Sequence, residues 1–310
     1  MAGIDISLNL DVGNISHETN LGQYYQDISP AIVHISRGIF ACLDEKGIPY
    51  CIDEKKKNYA PIVTIQYALM CYDLLIRKEN IQENKNIFLN CINWLESKKE
   101  KFNDGVIWRN SECKQYDLEK GWISGMVHGQ AISVYLRAYQ LYNDSKYLEV
   151  AEAIYKSFKY EYSEGGFKRI DKNGCIWFEE YPTSKPSYVL NGFIYTIFGI
   201  LDLYRVTRKE EINQLWISCI YTLEVNLKKY DVWYWSVYDQ LKKQLVSYYY
   251  QKNVHVPLMK IMFLLTNKEI FNTYSVKWEH NWNNPIHKII VNIMYRVQPR
   301  IKKIETLIKK

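Results

Sequence analysis

Beyond residue 60 the chain repeats one arrangement: two helix-length stretches with apolar residues three and four apart, then a segment rich in aromatic and turn-forming residues. Apolar recurrence at that spacing puts a stripe on one helix face, and the stripe must be buried against a neighbour. It predicts helices over 61–77, 84–98, 122–142, 146–160, 186–204, 210–228, 256–265 and 286–297. The turn-rich segments 102–120, 161–185 and 230–252 separate successive pairs. Antiparallel pairs joined this way predict helical hairpins set in a ring. The expected fold is therefore mainly α, an α/α toroid with short β-hairpins on its rim. Connections on one rim of such a ring converge on a central cleft, and function is expected there.

The first sixty residues are less regular. Residues 40–43 and 48–52 flank Asp44-Glu-Lys-Gly47 as strands flank a hairpin turn. Residues 1–58 are expected to form an N-terminal extension packed on the body, and residues 59–310 the toroid; a division into two domains near residue 58 is the alternative. A chain of 310 residues with 47% hydrophobic residues can bury a sizeable core. Residues 1–14 show neither a basic start nor an apolar run of signal-peptide length. The apolar stretch 189–201 is interrupted by Asn191 and Thr196 and is too short to span a bilayer. Seven cysteines, an odd number without C-x-x-C spacing, fit neither a disulfide framework nor a zinc ribbon. The six histidines show no H-E-x-x-H pattern. A cytoplasmic protein with no metal and no cofactor is expected.

The net charge of +6 is local. Residues 288–310 carry seven basic residues against the single acid Glu305, which leaves the rest of the chain balanced. That distribution argues against nucleic acid as a partner. Beyond Pro299, residues Ile301, Ile304, Leu307 and Ile308 share one helical face among lysines. The pattern suits a docked helix with a solvated basic side, or a peripheral membrane contact through 299–310.

The richest chemistry lies in residues 177–193. Asn173-Gly174 is a hairpin-turn signature, so residues 175–181 read as a second strand. Pro182 holds Tyr181 extended, and Pro186 suits the first turn of a following helix. Glu179 and Glu180 thus fall on a strand-to-helix connection. Successive strand side chains face opposite ways, so in a strand that stays regular only one carboxylate can face the cleft and the other is structural. Tyrosine is abundant, with 27 copies against 10 phenylalanines. Its flat apolar face and hydroxyl suit contact with sugar rings.

Four segments together are similar to a known family: Gln66-Tyr-Ala-Leu69; Gly121-Trp-Ile-Ser-Gly-Met-Val-His-Gly-Gln-Ala-Ile-Ser133; Trp177-Phe-Glu-Glu-Tyr-Pro-Thr183 with Ser187-Tyr-Val-Leu-Asn-Gly-Phe193; and Tyr238-Asp239. They resemble the C-terminal domain of the glucuronyl C5-epimerases of heparan sulfate and heparosan biosynthesis, over residues 60 to 275. The resemblance implies an α/α toroid, preceded in the family's full-length enzymes by β-rich domains. It implies inversion of C5 of a hexuronate, of the glucuronate-to-iduronate type, in a uronic-acid-containing glycan. It matches Glu180 and Tyr181 to the family's catalytic acidic motif, and Tyr238 to a catalytic tyrosine in a Tyr-Asp-Leu-Arg motif. This chain reads Tyr238-Asp-Gln-Leu241, with leucine in the arginine's place and Lys242 and Lys243 next to it. A second family tyrosine precedes a histidine by four positions. Here Tyr250 precedes His255 by five, so Tyr250 serves only where the chain absorbs one extra residue.

Inverting C5 removes a proton beside a carboxylate and returns one from the opposite ring face. Two proton-handling groups must flank the sugar. A glutamate is a base at neutral pH, and a tyrosine with a pKa of about 10 is a donor. The catalytic candidates are Glu180, Tyr181, Tyr238 and Tyr250. The developing negative charge calls for donors or cations, and Arg109, Arg137, His128 and Lys185 lie in or near the rim motifs. Gln130, Asn191 and His255 complete the expected substrate contacts. Each has a plain structural alternative: an ion pair to the next helix for Arg137, a backbone carbonyl for His128, a core hydrogen bond for Gln130 and Asn191. The stripe Gly125, Gly129, Ser133 suits close helix packing. A uronate lyase, which begins with the same proton loss, and a non-catalytic glycan-binding protein are the alternative functions. A homodimer is a further way to complete the cleft.

Overall fold

The computed structural model describes residues 8–36, 38, 41–53 and 56–308. The chain opens with β1 (Asp11–Val12) paired antiparallel to β2 (Gln26–Asp27), then a 3-10 turn and the short helix α1 (Ile32–Ser36). A three-stranded antiparallel sheet follows, β3 (Cys42–Leu43), β4 (Pro49–Asp53) and β5 (Lys56–Asn58). Asp44 shapes the β3–β4 turn by accepting from the Lys46 and Ile48 amides, both at 2.9 Å. The expected hairpin is thus present with a third strand added; Phe40 lies outside the described residues.

Helices α2 (Pro61–Ile76) and α3 (Ile81–Lys98), α4 (Gly125–Tyr142) and α5 (Ser145–Lys156), and α6 (Leu190–Thr207) and α7 (Glu210–Asn226) form hairpins. Between the pairs lie β6 (Glu100–Phe102) with β7 (Gly105–Ile107), and β8 (Lys168–Ile170) with β9 (Ile176–Phe178). After β10 (Asp231–Val232) and β11 (Trp235–Ser236), a single turn α8 (Tyr248–Tyr250) leads into a π-helix (Gln251–His255). Then come α9 (Val256–Thr266), α10 (Glu269–Asn283) and α11 (Pro285–Ile308).

The inner and outer members of each pair differ in burial. Every residue from Gly125 to Ala138 of α4, and from Leu190 to Leu203 of α6, is buried. A helix buried on all sides belongs to the inside of a domain, whereas α3, α5, α7 and α10 bury one stripe each. Helix α2 packs on α4, and α4 on α6. The α4–α6 crossing is close because glycines meet there. A Cβ at Gly129 would stand 2.4 Å from Thr196 Cα, and one at Gly199 would stand 2.0 Å from the Gly129 carbonyl oxygen. The small-residue stripe is therefore a helix contact.

The N-terminal segment bridges the remaining side of the ring. Strands β1 and β2 pack on α9, and the 3-10 turn Ser29–Ala31 packs on α2. Three buried charges hold the segment. Arg137 of α4 pairs with Asp202 of α6 at 2.7 Å and donates to the Gly22 and Gln23 carbonyls. Arg205 donates to the Glu18 and Asn20 carbonyls, and Tyr25 donates to Asp202 at 2.7 Å. Arg137 is thus a structural ion-pair partner, as its plain reading had it.

Two sequence expectations are corrected. Residues 186–189 are not helical: α6 begins at Leu190, because the amides of Ser187 and Tyr188 bond to the Glu179 carboxylate instead of starting a helix. Helix α10 was not expected, since two of its four buried positions are Ser275 and Asn281, and polar residues there hide the apolar period. The tail is one continuous helix through residue 308, and Tyr295 donates to the Leu245 carbonyl at 2.9 Å.

Removing one member of a buried ion pair leaves the other uncompensated. Asp202→Asn is expected to lower unfolding stability by about 3–5 kcal/mol in a denaturant titration.

Candidate active site

The β8–β9 hairpin delivers the acidic pair to the cleft. Asp171 holds its turn by accepting from the Asn173 and Cys175 amides, and Gly174 takes the left-handed conformation (φ +78°) the turn needs. The chain then places the two carboxylates differently. Glu179 accepts from the Ser187 amide at 3.1 Å, the Ser187 hydroxyl and the Tyr188 amide at 3.0 Å, with Arg169 at 3.3 Å. Loop 181–189 folds around this carboxylate, and Tyr188 is left-handed (φ +46°) to keep its amide aimed there. Burial pushes Glu179 up to about 7, opposed by those donors.

Glu180 faces a cavity of about 360 Å³. Its Oε1 accepts from the Tyr238 hydroxyl at 3.1 Å, and its Oε2 has no hydrogen-bond partner. Burial pushes its carboxyl up to about 7, against the pull of the Tyr181 and Tyr238 hydroxyls. The backbone of Gly192 gives it room: a Cβ there would stand 2.3 Å from Oε2.

Aromatic rings surround this carboxyl. Tyr181 stacks on Tyr116 with centroids 4.1 Å apart and planes 8° apart, and the Tyr116 hydroxyl donates to Asp239. Asp239 also accepts from the Lys242 and Lys243 amides and so shapes the turn behind the motif. Tyr238 meets Tyr250 edge-on at 5.5 Å, and Tyr250 meets His255 edge-on at 5.6 Å. Burial raises the Tyr181, Tyr238 and Tyr250 hydroxyls well above the usual tyrosine range, and the Glu180 charge adds to this.

The π-helix explains how Tyr250 reaches His255. In an α-helix, residues four apart share a face, whereas a π-turn bonds i to i+5. Residues 251–255 form such a turn, so the five-residue spacing places Tyr250 and His255 in ring contact. The extra residue is absorbed within the helix. The His255 tautomer follows from its partners. Gln251 Nε2 donates to the Trp278 carbonyl, so its Oε1 accepts the one Ser236 proton. Ser236 Oγ then accepts from His255 Nδ1–H at 2.8 Å, leaving a lone pair on the buried, unpartnered Nε2. Burial lowers His255 to about 3, so it is neutral.

The remaining expected contacts separate. Asn191 lines the cavity, and its Oδ1 is buried without a partner. Gln130 is enclosed, accepting from Gln66 at 3.3 Å and donating to Tyr24 at 3.4 Å; Gln66 is the one that lines the cavity. His128 is not available to a ligand. Its Nδ1 donates to the Ser124 carbonyl at 2.6 Å, its Nε2 accepts from the Trp108 amide, and burial lowers it to about 4. Arg109 lies outside the cavity, paired with Glu100 at 2.9 Å and donating to the Gly121 carbonyl. Lys185 shares a separate hollow of about 320 Å³ with Leu241, Lys242 and Tyr116. Among the described residues, no three His, Cys, Asp or Glu side chains stand together as metal ligands. A larger surface hollow, about 760 Å³, lies between the β3–β5 sheet and α3 and contains none of these groups.

Sequence reasoning missed Tyr116, Tyr195, Tyr249 and the N-terminal wall of the cavity, Leu10, Ile28, Ala31 and Ile35. Gln66 was within reach, since it opens one of the recognised segments.

The architecture defines an α/α toroid enclosing a buried carboxyl among phenols. Similar solved structures include a family 76 glycoside hydrolase from a bovine Bacteroides thetaiotaomicron strain, with TM-score 0.54 and 11% identity over 81% of this chain and 55% of that one. A family 76 α-mannanase of Bacteroides thetaiotaomicron aligns with TM-score 0.50 and 13% identity over 84% of this chain and 70% of that one. At these identities the likeness is one of fold. The sequence is more specific: residues 98–280 match the D-glucuronyl C5-epimerase C-terminus, and the chain belongs to that family. It is 30% identical over 219 residues to the Caenorhabditis elegans D-glucuronyl C5-epimerase, 64% of this chain and 35% of that protein. It is 32% identical over 177 residues to the uncharacterized Methanocaldococcus jannaschii protein MJ1128, 56% of this chain and 57% of that one. The chain thus spans about a third and somewhat over half of these relatives' lengths.

The Tyr238 hydroxyl favours the ionised form of Glu180. Tyr238→Phe is therefore expected to move the Glu180 titration midpoint above 7, read by carbon-13 NMR of labelled carboxyl groups. Excising Lys252 should turn the π-turn into an ordinary α-turn, keep Tyr250 against the histidine, and change stability by less than about 1 kcal/mol, a few degrees in thermal unfolding.

Proposed function

We propose that this chain is a uronate C5-epimerase acting on an acidic glycan, with Glu180 taking the C5 proton and Tyr250 returning one from the other ring face. The observation that carries this reading is the single cavity lined by both the buried carboxyl of Glu180 and Tyr250. A carboxyl near 7 is a stronger base than an ordinary glutamate and still ionises at neutral pH. Tyrosines raised well above 10 stay protonated and ready to donate. Tyr238 bonds to Glu180 and touches Tyr250, so it offers a path by which the abstracted proton resets Tyr250 after turnover. In this reading Tyr181, held flat by Tyr116, steadies the carboxylate. Asn191 Oδ1 accepts from a sugar hydroxyl. The hollow holding Lys185 and Lys242 suits the carboxylate of an adjoining sugar in place of the family's arginine.

The base form of Glu180 gains population as pH rises through about 7. Consequently kcat/KM is expected to climb across that value, with no fall from tyrosine ionisation until well above pH 10. Incubation with a glucuronate polymer in heavy water is expected to place deuterium at C5, and Glu180→Gln should slow this by about 10²- to 10⁴-fold. No exchange with any uronate glycan would sink the proposal. New absorbance from an unsaturated uronate would instead identify a lyase, and tight glycan binding with neither reaction a binding protein.

A further inference from the structure

Much of the cavity lining is hydrocarbon. Ile28, Ala31 and Ile35 from the N-terminal segment, and Ile62, Val63 and Met70 from α2, line the same cavity as Glu180. Leu10, Met126 and Val254 extend that surface. The polar groups come from elsewhere: Glu180 and Asn191 from the start of α6 and the connection before it, Tyr195 from α6, Tyr249 and Tyr250 from the turn before α9, with Gln66 as the α2 exception. Among the described lining residues, Glu180 is the one charged group. A sugar ring with its hydroxyls and carboxylate satisfies only the polar part. The rest of the surface is wetted by water unless an apolar group covers it.

We propose that the uronate accepted here carries a hydrocarbon substituent, an alkyl or acyl chain, seated on the wall formed by the N-terminal segment and α2. The inference rests on the epimerase reading for the placement of the uronate. Three observations carry it. The cavity, at about 360 Å³, is near the lower end of small-molecule sites and suits one sugar with a short chain, any adjoining sugar being left to the separate hollow of Lys185 and Lys242. Its polar lining is built for a ligand, since Asn191 Oδ1 and Glu180 Oε2 are buried without partners. The N-terminal part of its apolar lining is held in place: Arg137 and Arg205 bond to the carbonyls of residues 18–23, and Asn253 Oδ1 accepts from the Leu10 amide at 2.9 Å. A preformed apolar surface gains affinity from each methylene it covers.

The test is calorimetric titration of the full chain with methyl, butyl, hexyl and octyl β-glucuronosides, using Glu180→Gln so that binding is read without turnover. Affinity is expected to rise about fourfold per methylene until the wall is covered, with an increasingly negative heat-capacity change. Ile62→Asn and Val63→Asn, both at half-buried positions, are expected to flatten that dependence, with thermal unfolding by circular dichroism showing them folded. Equal affinity from methyl to octyl would overturn the proposal. So would octanol binding as tightly as octyl glucuronoside, or a heparosan oligosaccharide binding more tightly than every alkyl glucuronoside. The two readings fail separately. Chain-length dependence without C5 deuterium exchange in the unsubstituted protein removes the epimerase and keeps the apolar subsite; exchange without chain-length dependence does the reverse.

Discussion

Asp202 holds the two ends of the architecture together. It sits fully buried on α6 between Arg137 of α4 and Arg205 one turn on, and it also accepts from Tyr25 of the N-terminal segment. Two arginines have more donors than one carboxylate can satisfy, and the surplus goes to the carbonyls of residues 18–23. The N-terminal segment is thereby fixed by backbone contacts, which impose position without demanding particular side chains there. Fixing it has a consequence at the far end of the segment, because Ile28, Ala31 and Ile35 become one wall of the cavity that holds Glu180. Core electrostatics and cleft shape are parts of one arrangement.

The acidic pair shows how neighbouring, chemically identical side chains acquire different tasks. Burial raises both carboxyls to about 7. Glu179 is surrounded by Arg169 and by donors from the loop that delays the start of α6 to Leu190, so its charge is spent on holding backbone. Glu180 has two phenol hydroxyls, one oxygen without a hydrogen-bond partner and a glycine behind it. What separates them is the supply of donors, because the chain leaves β9 at Phe178 and bends at Glu180, turning one carboxyl to the loop and the other to the cavity.

The helical ring was legible because its signal is local. Inner helices such as α4 and α6 are mostly apolar and buried over most of their length, and the turn chemistry around Asn173-Gly174 is written in consecutive residues. The Glu180 motif was legible for the same reason. What escaped depended on contacts between distant positions. Nothing near Leu10 or Ile35 announces that they will stand beside Glu180, and Arg109 and Lys185 look like cleft cations until the chain carries them to other surfaces. His128 reads as a ligand only while the Trp108 amide and Ser124 carbonyl are unseen. Helix α10 was lost because its buried stripe includes serine and asparagine.

The π-turn at 251–255 bears on how such sites tolerate changes in length. Adding a residue to an α-helix rotates everything upstream by about 100° relative to everything downstream, which would swing Tyr250 away from its neighbours. A single wide turn takes up that rotation where it arises. The Ser247 cap upstream and the Pro257-containing start of α9 downstream keep their settings. A chain with the tyrosine four positions before the histidine and one with it five positions before can therefore present the same ring contact, while any residue-by-residue alignment through this helix slips by one. Correspondence at such a site is better traced by which rings touch than by counting along the chain.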